Sequence, residues 1–433
     1  MSAPIVGLLG FAATLVLILL RVPVAIAMAI TGIAGFWVLN GWMGVGFILG
    51  SGPFEAVFPY SLSVVPLFIL MGVFAAQAGL SRSLYDAVNA FTGHFRGGLA
   101  MATVGACALF GAVCGSSLAT SATMCQVALP EMRRHGYDDR LATASIAAGG
   151  TLGVLIPPSV ILVLYGLLTE TSIGQLFVAA LLPGLLATLL YMGAVWVQVR
   201  RRPELGPASE RHTWGERIVV LGRVWKVLLL FLVVIGGMYQ GWFSPTEAAA
   251  VGALGAFFIA LLSGRLTRSV FMDSISQTAQ TSGMIFMILI GASLFNYFIE
   301  TSNLPTFLVS TINDAGLAPY TVLFLVILFY IGLGCVMDAL SMVLLTIPFI
   351  FPMVAALDFN PVWFGIIVVT VAEIGLITPP VGMNLFVIQA AASDVRQATI
   401  FKGIGPFLVA DVVRVSILVA IPAISLWLPS LMY

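Results

Sequence analysis

Long apolar runs recur along the whole chain, and the polar residues dividing them fall in short clusters. Val6–Leu20 is the first run, and Arg21-Val22-Pro23 interrupts a stretch that otherwise stays apolar to residue 40. Residues 41–63 mix Gly, Pro and Glu55 with apolar side chains, a pattern for an interfacial segment rather than a span. An apolar helix is predicted over 64–79. From Ser81 to Gly98 polar and apolar positions alternate (Arg82, Leu84, Asp86, Phe91, His94, Arg96). That suits either a helix lying in a membrane interface or a loop helix outside it. Further helices are predicted near 175–199, 227–241, 246–263, 283–299, 318–336 and 404–430.

Two stretches depart from this simple alternation. In the first, Gly111-Ala112-Val113-Cys114-Gly115-Ser116-Ser117-Leu118-Ala119-Thr120-Ser121 leads into an apolar arm ending at Pro130. It is too short and too polar at its middle for two full crossings, since one crossing needs about 20 apolar residues. It reads as a re-entrant hairpin with a Ser-rich tip, or as a helix-packing face of small residues. A charged loop from Glu131 to Arg140 follows, and then a helix containing Gly153-Val154-Leu155-Ile156-Pro157-Pro158-Ser159. In the second half, Gly332-Leu333-Gly334-Cys335-Val336-Met337-Asp338-Ala339-Leu340-Ser341 leads to Pro352, and Gly375-Leu376-Ile377-Thr378-Pro379-Pro380-Val381-Gly382-Met383-Asn384 follows.

Adjacent prolines inside an apolar run need a reason. Proline lacks the N–H that would bond the carbonyl four residues back, and its ring crowds that carbonyl. Pro379 and Pro380 are therefore expected to free the carbonyls of Gly375 and Leu376. An unpaired carbonyl in hydrocarbon costs several kcal/mol, so it must be buried in protein or line a wet cavity. Bared carbonyls beside Thr378 and Asn384 offer a cation site. The spacing repeats: Pro130 precedes Pro157 by 27 residues and Pro352 precedes Pro379 by 27 (157 − 130; 379 − 352). A constant offset of 222 aligns Gly153 with Gly375 and both Pro-Pro pairs (375 − 153). One such break could be a kink. Two at matching positions, each after a polar-tipped segment, mark a transporter built from repeats with its binding site at the midplane.

Composition fixes the setting. Of 433 residues, 60% are hydrophobic and 8% charged, against about 25% charged in soluble domains. Mean hydropathy is +1.10. The chain is a polytopic all-α membrane protein. Zero net charge argues against a nucleic-acid partner. The cysteines (Cys107, Cys114, Cys125, Cys335) lack CxxC spacing and the three histidines lack ligand spacing, which argues against zinc or haem. The first run has no charged leader or cleavage site and reads as a retained helix. Residues 200–226 carry seven basic side chains against Glu204, Glu210 and Glu216, which makes this linker cytoplasmic. It divides an N-terminal half, 1–199 (first hairpin and broken helix, 111–168), from a C-terminal half, 227–433 (332–391).

The segments GAVCGSSLATSATM, GVLIPPSVILVLYG, GCVMDALSMVLL and GLITPPVGMNLFV, in this order, resemble the large membrane subunit of tripartite ATP-independent periplasmic (TRAP) transporters. The likeness runs over essentially the whole chain. It implies an elevator-type secondary transporter of the bacterial inner membrane, with two inverted repeats and a sodium gradient as driving force. It also implies a small four-helix membrane partner and a periplasmic protein that delivers an organic-anion substrate. Carried onto this sequence, one sodium ion would be held by Cys114, Ser117, Gly153, Ile156 and Pro158. A second would be held by Gly334, Gly375, Thr378 and Val381. A thiol is a poor ligand for a hard ion, so Cys114 is expected to contribute its backbone carbonyl. For the substrate, Ser116, Thr120 and Ser121, with helix N-termini, are candidates to meet a carboxylate, and Asp338 and Asn384 join them.

Polar and charged residues on the apolar helices remain. Asp338, a carboxylate at a hairpin tip inside the apolar region, is expected beside the second sodium site or gating it. Glu373 pairs with a basic residue or holds the break open. Arg396, Lys402 and Arg414 are expected to anchor helix ends, and Asn296 and Glu300, four apart on one helix face, to cap that helix near an interface. A stand-alone sodium/dicarboxylate-type symporter without a binding protein is the competing reading. No Ser/His, paired-Asp or HExxH arrangement points to an enzyme.

Overall fold

The computed structural model describes residues 2–209 and 211–432, so Glu210 of the linker lies outside the described residues. The first half runs α1 (Ala3–Leu19), α2 (Val24–Val57), α3 (Val64–Gln77), α4 (Leu80–Thr92), α5 (Gly98–Cys114), α6 (Ser117–Arg134), α7 (Asp139–Leu155), α8 (Val160–Leu168) and α9 (Ile173–Arg201). The second half opens with α10 (Trp214–Phe231), which passes through a π-helical turn, Leu232–Gly236, into α11 (Gly237–Tyr239). It continues with α12 (Pro245–Leu262), α13 (Arg268–Thr301), α14 (Leu304–Asp314), α15 (Pro319–Gly334), α16 (Ala339–Ala355), α17 (Pro361–Ile377), α18 (Met383–Ala391), α19 (Gln397–Ala420) and α20 (Ala423–Leu426). Among the described residues there is no strand. Among the described residues seven helices are long and apolar enough to cross a membrane, or eight if α7 and α8, bent by 41°, count as one broken span.

Helix starts follow local chemistry. Ser116, Asp138, Ser159, Asp338 and Asn360 each accept a backbone N–H of the turn they precede, as N-cap residues do. The helices α6 and α16 start 222 residues apart (339 − 117), and so do α7 and α17 (361 − 139), which also end 222 apart (377 − 155).

Several boundaries differ from the sequence pattern. Residues 41–57 are helical rather than irregular, set off from the first part of α2 by the non-helical Gly41. Gly41, at φ 70°, kinks α2, which then runs on through Pro53 to Val57. The 200–226 linker is irregular only between α9 and Thr213. There Thr213 and Glu216 form a capping box that starts α10, so its basic residues Arg217, Arg223 and Lys226 are helical. The charged loop before α7 shrinks to the turn between Arg134 and Asp139. The last long helix begins at Gln397 and stops at Ala420 rather than spanning 404–430.

Packing puts the two Pro-Pro helices at the centre. Every residue of α7 from Leu141 and of α17 from Val362 is buried. The α7 helix packs on α5, α6, α9, α17 and α19, and α17 packs on α15, α16, α9 and α19. Outside them α2 lies along α13. They approach so closely that a Cβ on Gly291 would stand 2.2 Å from the Ala25 carbonyl oxygen. The outer surface keeps large apolar side chains such as Trp37, Trp42, Leu229 and Phe258 exposed, as a lipid-facing surface requires. The linker is fastened to the first half. The Leu205 carbonyl accepts the Asp138 N–H at 3.1 Å, and the Gly206 carbonyl accepts the Gly97 N–H at 2.9 Å.

Candidate functional site

Each hairpin tip crosses its broken helix at a pair of glycines. A Cβ on Gly111 would lie 2.5 Å from the Gly153 Cα, and one on Gly334 would lie 2.7 Å from the Gly375 Cα. Real Cβ atoms keep 3.4–4 Å from such neighbours, so only glycine lets these backbones meet. Gly115, left-handed at φ 64°, ends α5 with its Cα turned toward the Pro158 carbonyl, 2.7 Å from where a Cβ would stand. The Ser116 carbonyl and Thr120 Oγ1 face Gly153 in the same way, at 3.0 and 2.6 Å from a Cβ position there. Cys114, Ser116, Ser117, Thr120, Gly153 and Pro158 are thus gathered at one crossing. Ile156 belongs to the break, but its side chain packs away, against Gly184 of α9. The Cys114 carbonyl abuts Gly72 of α3.

The second crossing gathers Gly334, Gly375 and Thr378, with Val381 in the turn before α18. Here Thr378 supplies a donor that the proline argument omitted. Its N–H bonds the Gly375 carbonyl at 3.2 Å, so that carbonyl is not bare and only its second lone pair is open. The Thr378 hydroxyl donates to the Ile374 carbonyl at 2.6 Å, which leaves its own lone pairs free. The Leu376 carbonyl receives no N–H and faces Gly382, 3.3 Å from a Cβ position there. Both Pro-Pro peptide bonds are cis.

A cavity of about 370 Å³ joins the two halves. Cys114, Gly115, Ser116 and Ser117 form one end, Asp338, Ala339 and Leu340 another, and Val154, Val160 and Leu376 belong to the broken helices. The remaining wall comes from α3, α6 and α13 and includes Gln77, Thr123, Gln277 and Thr281. No Lys, Arg or His is in the lining. Ser116 caps α6 with a neutral hydroxyl, so that helix offers its N-terminal dipole to an anion. Asp338 caps α16 instead. One of its oxygens accepts the Ser341 N–H at 3.0 Å and the other the Ser341 hydroxyl, so the carboxylate borders the cavity while engaged as a cap.

Three of the substrate candidates do not reach this cavity. Thr120 and Ser121 are fully buried between α6 and α7, with hydroxyls that have no partner. Asn384 is fully buried and its amide donates to the Ala147 carbonyl of α7 at 3.3 Å, a tie between the halves. Ser116 and Asp338 do reach it.

Arg414 does not anchor a helix end. It is fully buried with Glu373 and Asp411. Its Nη1 lies 3.3 Å from Glu373 Oε2 and its Nη2 lies 3.0 Å from Asp411 Oδ1. The Tyr191 hydroxyl donates to Asp411 at 2.8 Å. Titratable groups therefore form a chain in the interior. Tyr191 and Asp411 lie 220 positions apart, which hides their pairing in the sequence, whereas Asp411 and Arg414 stand three apart on α19. Three ionisable residues on apolar helices were the available signal. The Asn296 amide donates to Glu300 Oε1 at 3.0 Å, one turn on along α13.

An all-helical fold with two broken helices meeting two capped hairpins at a central cavity defines a membrane transporter architecture. The chain superposes on the solved Alcanivorax borkumensis YdaH transporter with a TM-score of 0.67, over 96% of this chain and 98% of that one, at 13% identity. Residues 11–424 match the family described as "Tripartite ATP-independent periplasmic transporter, DctM component", and the chain belongs to that family. It is 39% identical, over 87% of its length and 88% of the relative's, to the C4-dicarboxylate TRAP transporter large permease protein DctM of Pseudomonas aeruginosa. It is 32% identical, over 96% and 97%, to the ectoine TRAP transporter large permease protein TeaC of Halomonas elongata. This protein is a large permease subunit of a TRAP transporter.

Proposed function

We propose that this subunit imports an organic anion coupled to sodium, working with a small four-helix membrane subunit and a periplasmic binding protein. It would sit in the bacterial inner membrane and move its hairpins and broken helices as one elevator against the outer helices. The observation that carries the reading is the meeting of both hairpin tips and both broken helices around one cavity. That cavity holds no basic side chain to balance an anion. The neutral start of α6 and a bound cation supply the positive charge instead. The donor set suits sodium, a hard ion that takes oxygen ligands. The orphaned Thr120 hydroxyl and the carbonyls of Ser116 and Pro158 crowd the first crossing, and Leu376 and Thr378 bring oxygens to the second.

The names of the relatives, a C4-dicarboxylate permease and an ectoine permease, make small carboxylates the first compounds to test. The chain is reconstituted into liposomes with its small subunit, and uptake of labelled acids is measured with and without the binding protein. Uptake only when the loaded binding protein is present is expected. Uptake by this chain alone would make it a stand-alone symporter and overturn the proposed assembly.

A further inference from the structure

Glu373 and Thr151 occupy matching places in the two halves. They stand 222 residues apart (373 − 151), and each lies two positions before the glycine at its helix crossing. A continuous set of buried polar contacts joins them through two other helices. Thr151 Oγ1 lies 3.3 Å from the Tyr191 hydroxyl, which lies 2.8 and 2.9 Å from the two Asp411 oxygens. Asp411 meets Arg414 at 3.0 Å, and Arg414 meets Glu373 at 3.3 Å. Arg414 also donates to the Thr370 carbonyl of α17 at 3.4 Å. The path therefore runs from α7 through α9 and α19 to α17. All five side chains are fully or almost fully buried.

Burying three ionisable groups is costly, and hydrophobic replacements of similar volume are often as stable or more so. Packing alone does not account for them. The path also has two arrangements available. The Thr151 hydroxyl has one proton and two acceptors, the Ala148 carbonyl of its own helix at 2.7 Å and Tyr191 at 3.3 Å. At the other end Glu373 Oε1 and Arg414 Nε have no partner, so the ion pair has spare groups with which to re-form. Coupling between distant sites needs such an element with two discrete states.

We infer that Tyr191, Asp411 and Arg414 are positioning residues that tie the two helix breaks together, so that the geometry at one crossing is set in part by the other. This inference rests on the sodium reading for its transport consequence. Its structural core does not need sodium. When an ion draws the first crossing together, α7 turns Thr151 toward or away from Tyr191, and the shift reaches Glu373 beside the second crossing. Binding of one ion then favours binding of the other.

The test perturbs one end and reads the other, in the full chain with its small subunit. Thr151→Val keeps the side-chain volume and removes the hydroxyl. Amide hydrogen exchange is followed at 374–378 without sodium, and in parallel for Tyr191→Phe, which keeps the ring. Both variants are expected to raise exchange at 374–378 by about fivefold or more, the lower end of ordinary allosteric coupling. An increase confined to the surroundings of residues 151 and 191 would overturn the inference, whatever sodium does. A second measurement is the sodium dependence of the melting temperature. Both variants should melt lower without sodium, Tyr191→Phe the more because it strips a partner from buried Asp411, and both should lose cooperativity in sodium. Unchanged cooperativity in both variants also overturns the coupling. If the wild type shows no stabilisation by sodium at all, the sodium reading fails, and the exchange result alone decides whether the two breaks are tied.

Discussion

Replacing Gly375 by alanine tests whether the glycine crossing sets the geometry of the site. The new Cβ would stand 2.4 Å from the Gly334 Cα and 2.7 Å from its carbonyl carbon, where 3.4 Å is the near edge of ordinary contact. Both atoms are backbone, so no side chain can swing aside, and the tip must retreat from α17 by about 1 Å (3.4 − 2.4). Overpacking of this kind costs about 1–3 kcal/mol, which the fold survives. The consequence for an ion is larger, because coordination distances tolerate only about 0.2 Å. A loss of about 1.4 kcal/mol of ion binding is already tenfold in half-saturating concentration. Gly332→Ala is the control, two residues before Gly334 on α15 and with no atom within 4 Å of its Cβ position. The assay is the melting temperature of the purified complex titrated with sodium at constant ionic strength. Gly375→Ala should melt a little lower without sodium and need at least about tenfold more sodium for half its stabilisation. Gly332→Ala should match the wild type. Lower stability in Gly375→Ala with wild-type sodium dependence would show the crossing to be packing alone, and the reasoning would be refuted.

Replacing Pro379 and Pro380 together by alanine restores two N–H donors and about 3 kcal/mol of helix propensity per residue. The variant should melt no lower than the wild type yet lose sodium stabilisation; a fall in melting temperature with unchanged sodium dependence would reveal a packing kink instead. Asp338→Ala should cost about 1 kcal/mol, the usual loss of an N-cap, whereas Asp338→Ser should keep wild-type stability because serine caps well. Equal melting temperatures for Asp338→Ala and wild type would show that the Ser341 contacts do not hold the start of α16.

What was legible in the sequence was local. Proline and glycine act on their own backbone, so the breaks after Leu155 and Ile377 and the tips near Gly115 and Cys335 could be placed before any packing was known. Capping is equally local. Thr213-Trp214-Gly215-Glu216 spells a capping box and places the start of α10 within the basic run. Side-chain partners were not legible. The Gly375 carbonyl finds a donor three residues on because the chain tightens there before the prolines, a detail that a four-residue rule does not contain. Arg414 reads as a helix-end anchor because an apolar helix buried on all sides and one facing lipid have the same composition. Only the fold brings α7, α9, α17 and α19 together, and only then do Arg414, Asp411, Tyr191 and Glu373 become one cluster. Thr120, Ser121 and Asn384 were chosen as polar groups in apolar surroundings, which they are, but the helix faces carrying them turn into the α6–α7 interface rather than to the cavity.

The most direct test of the account is uptake by the reconstituted complex, with its binding protein, when external sodium is replaced by potassium or choline at fixed pH. Carbonyl and hydroxyl oxygens at two helix crossings and a cavity without a basic side chain lead the proposed sodium coupling to predict that uptake stops without sodium. They also predict that it returns as sodium is restored. Full uptake in the absence of sodium, driven by a proton gradient alone, would contradict the account.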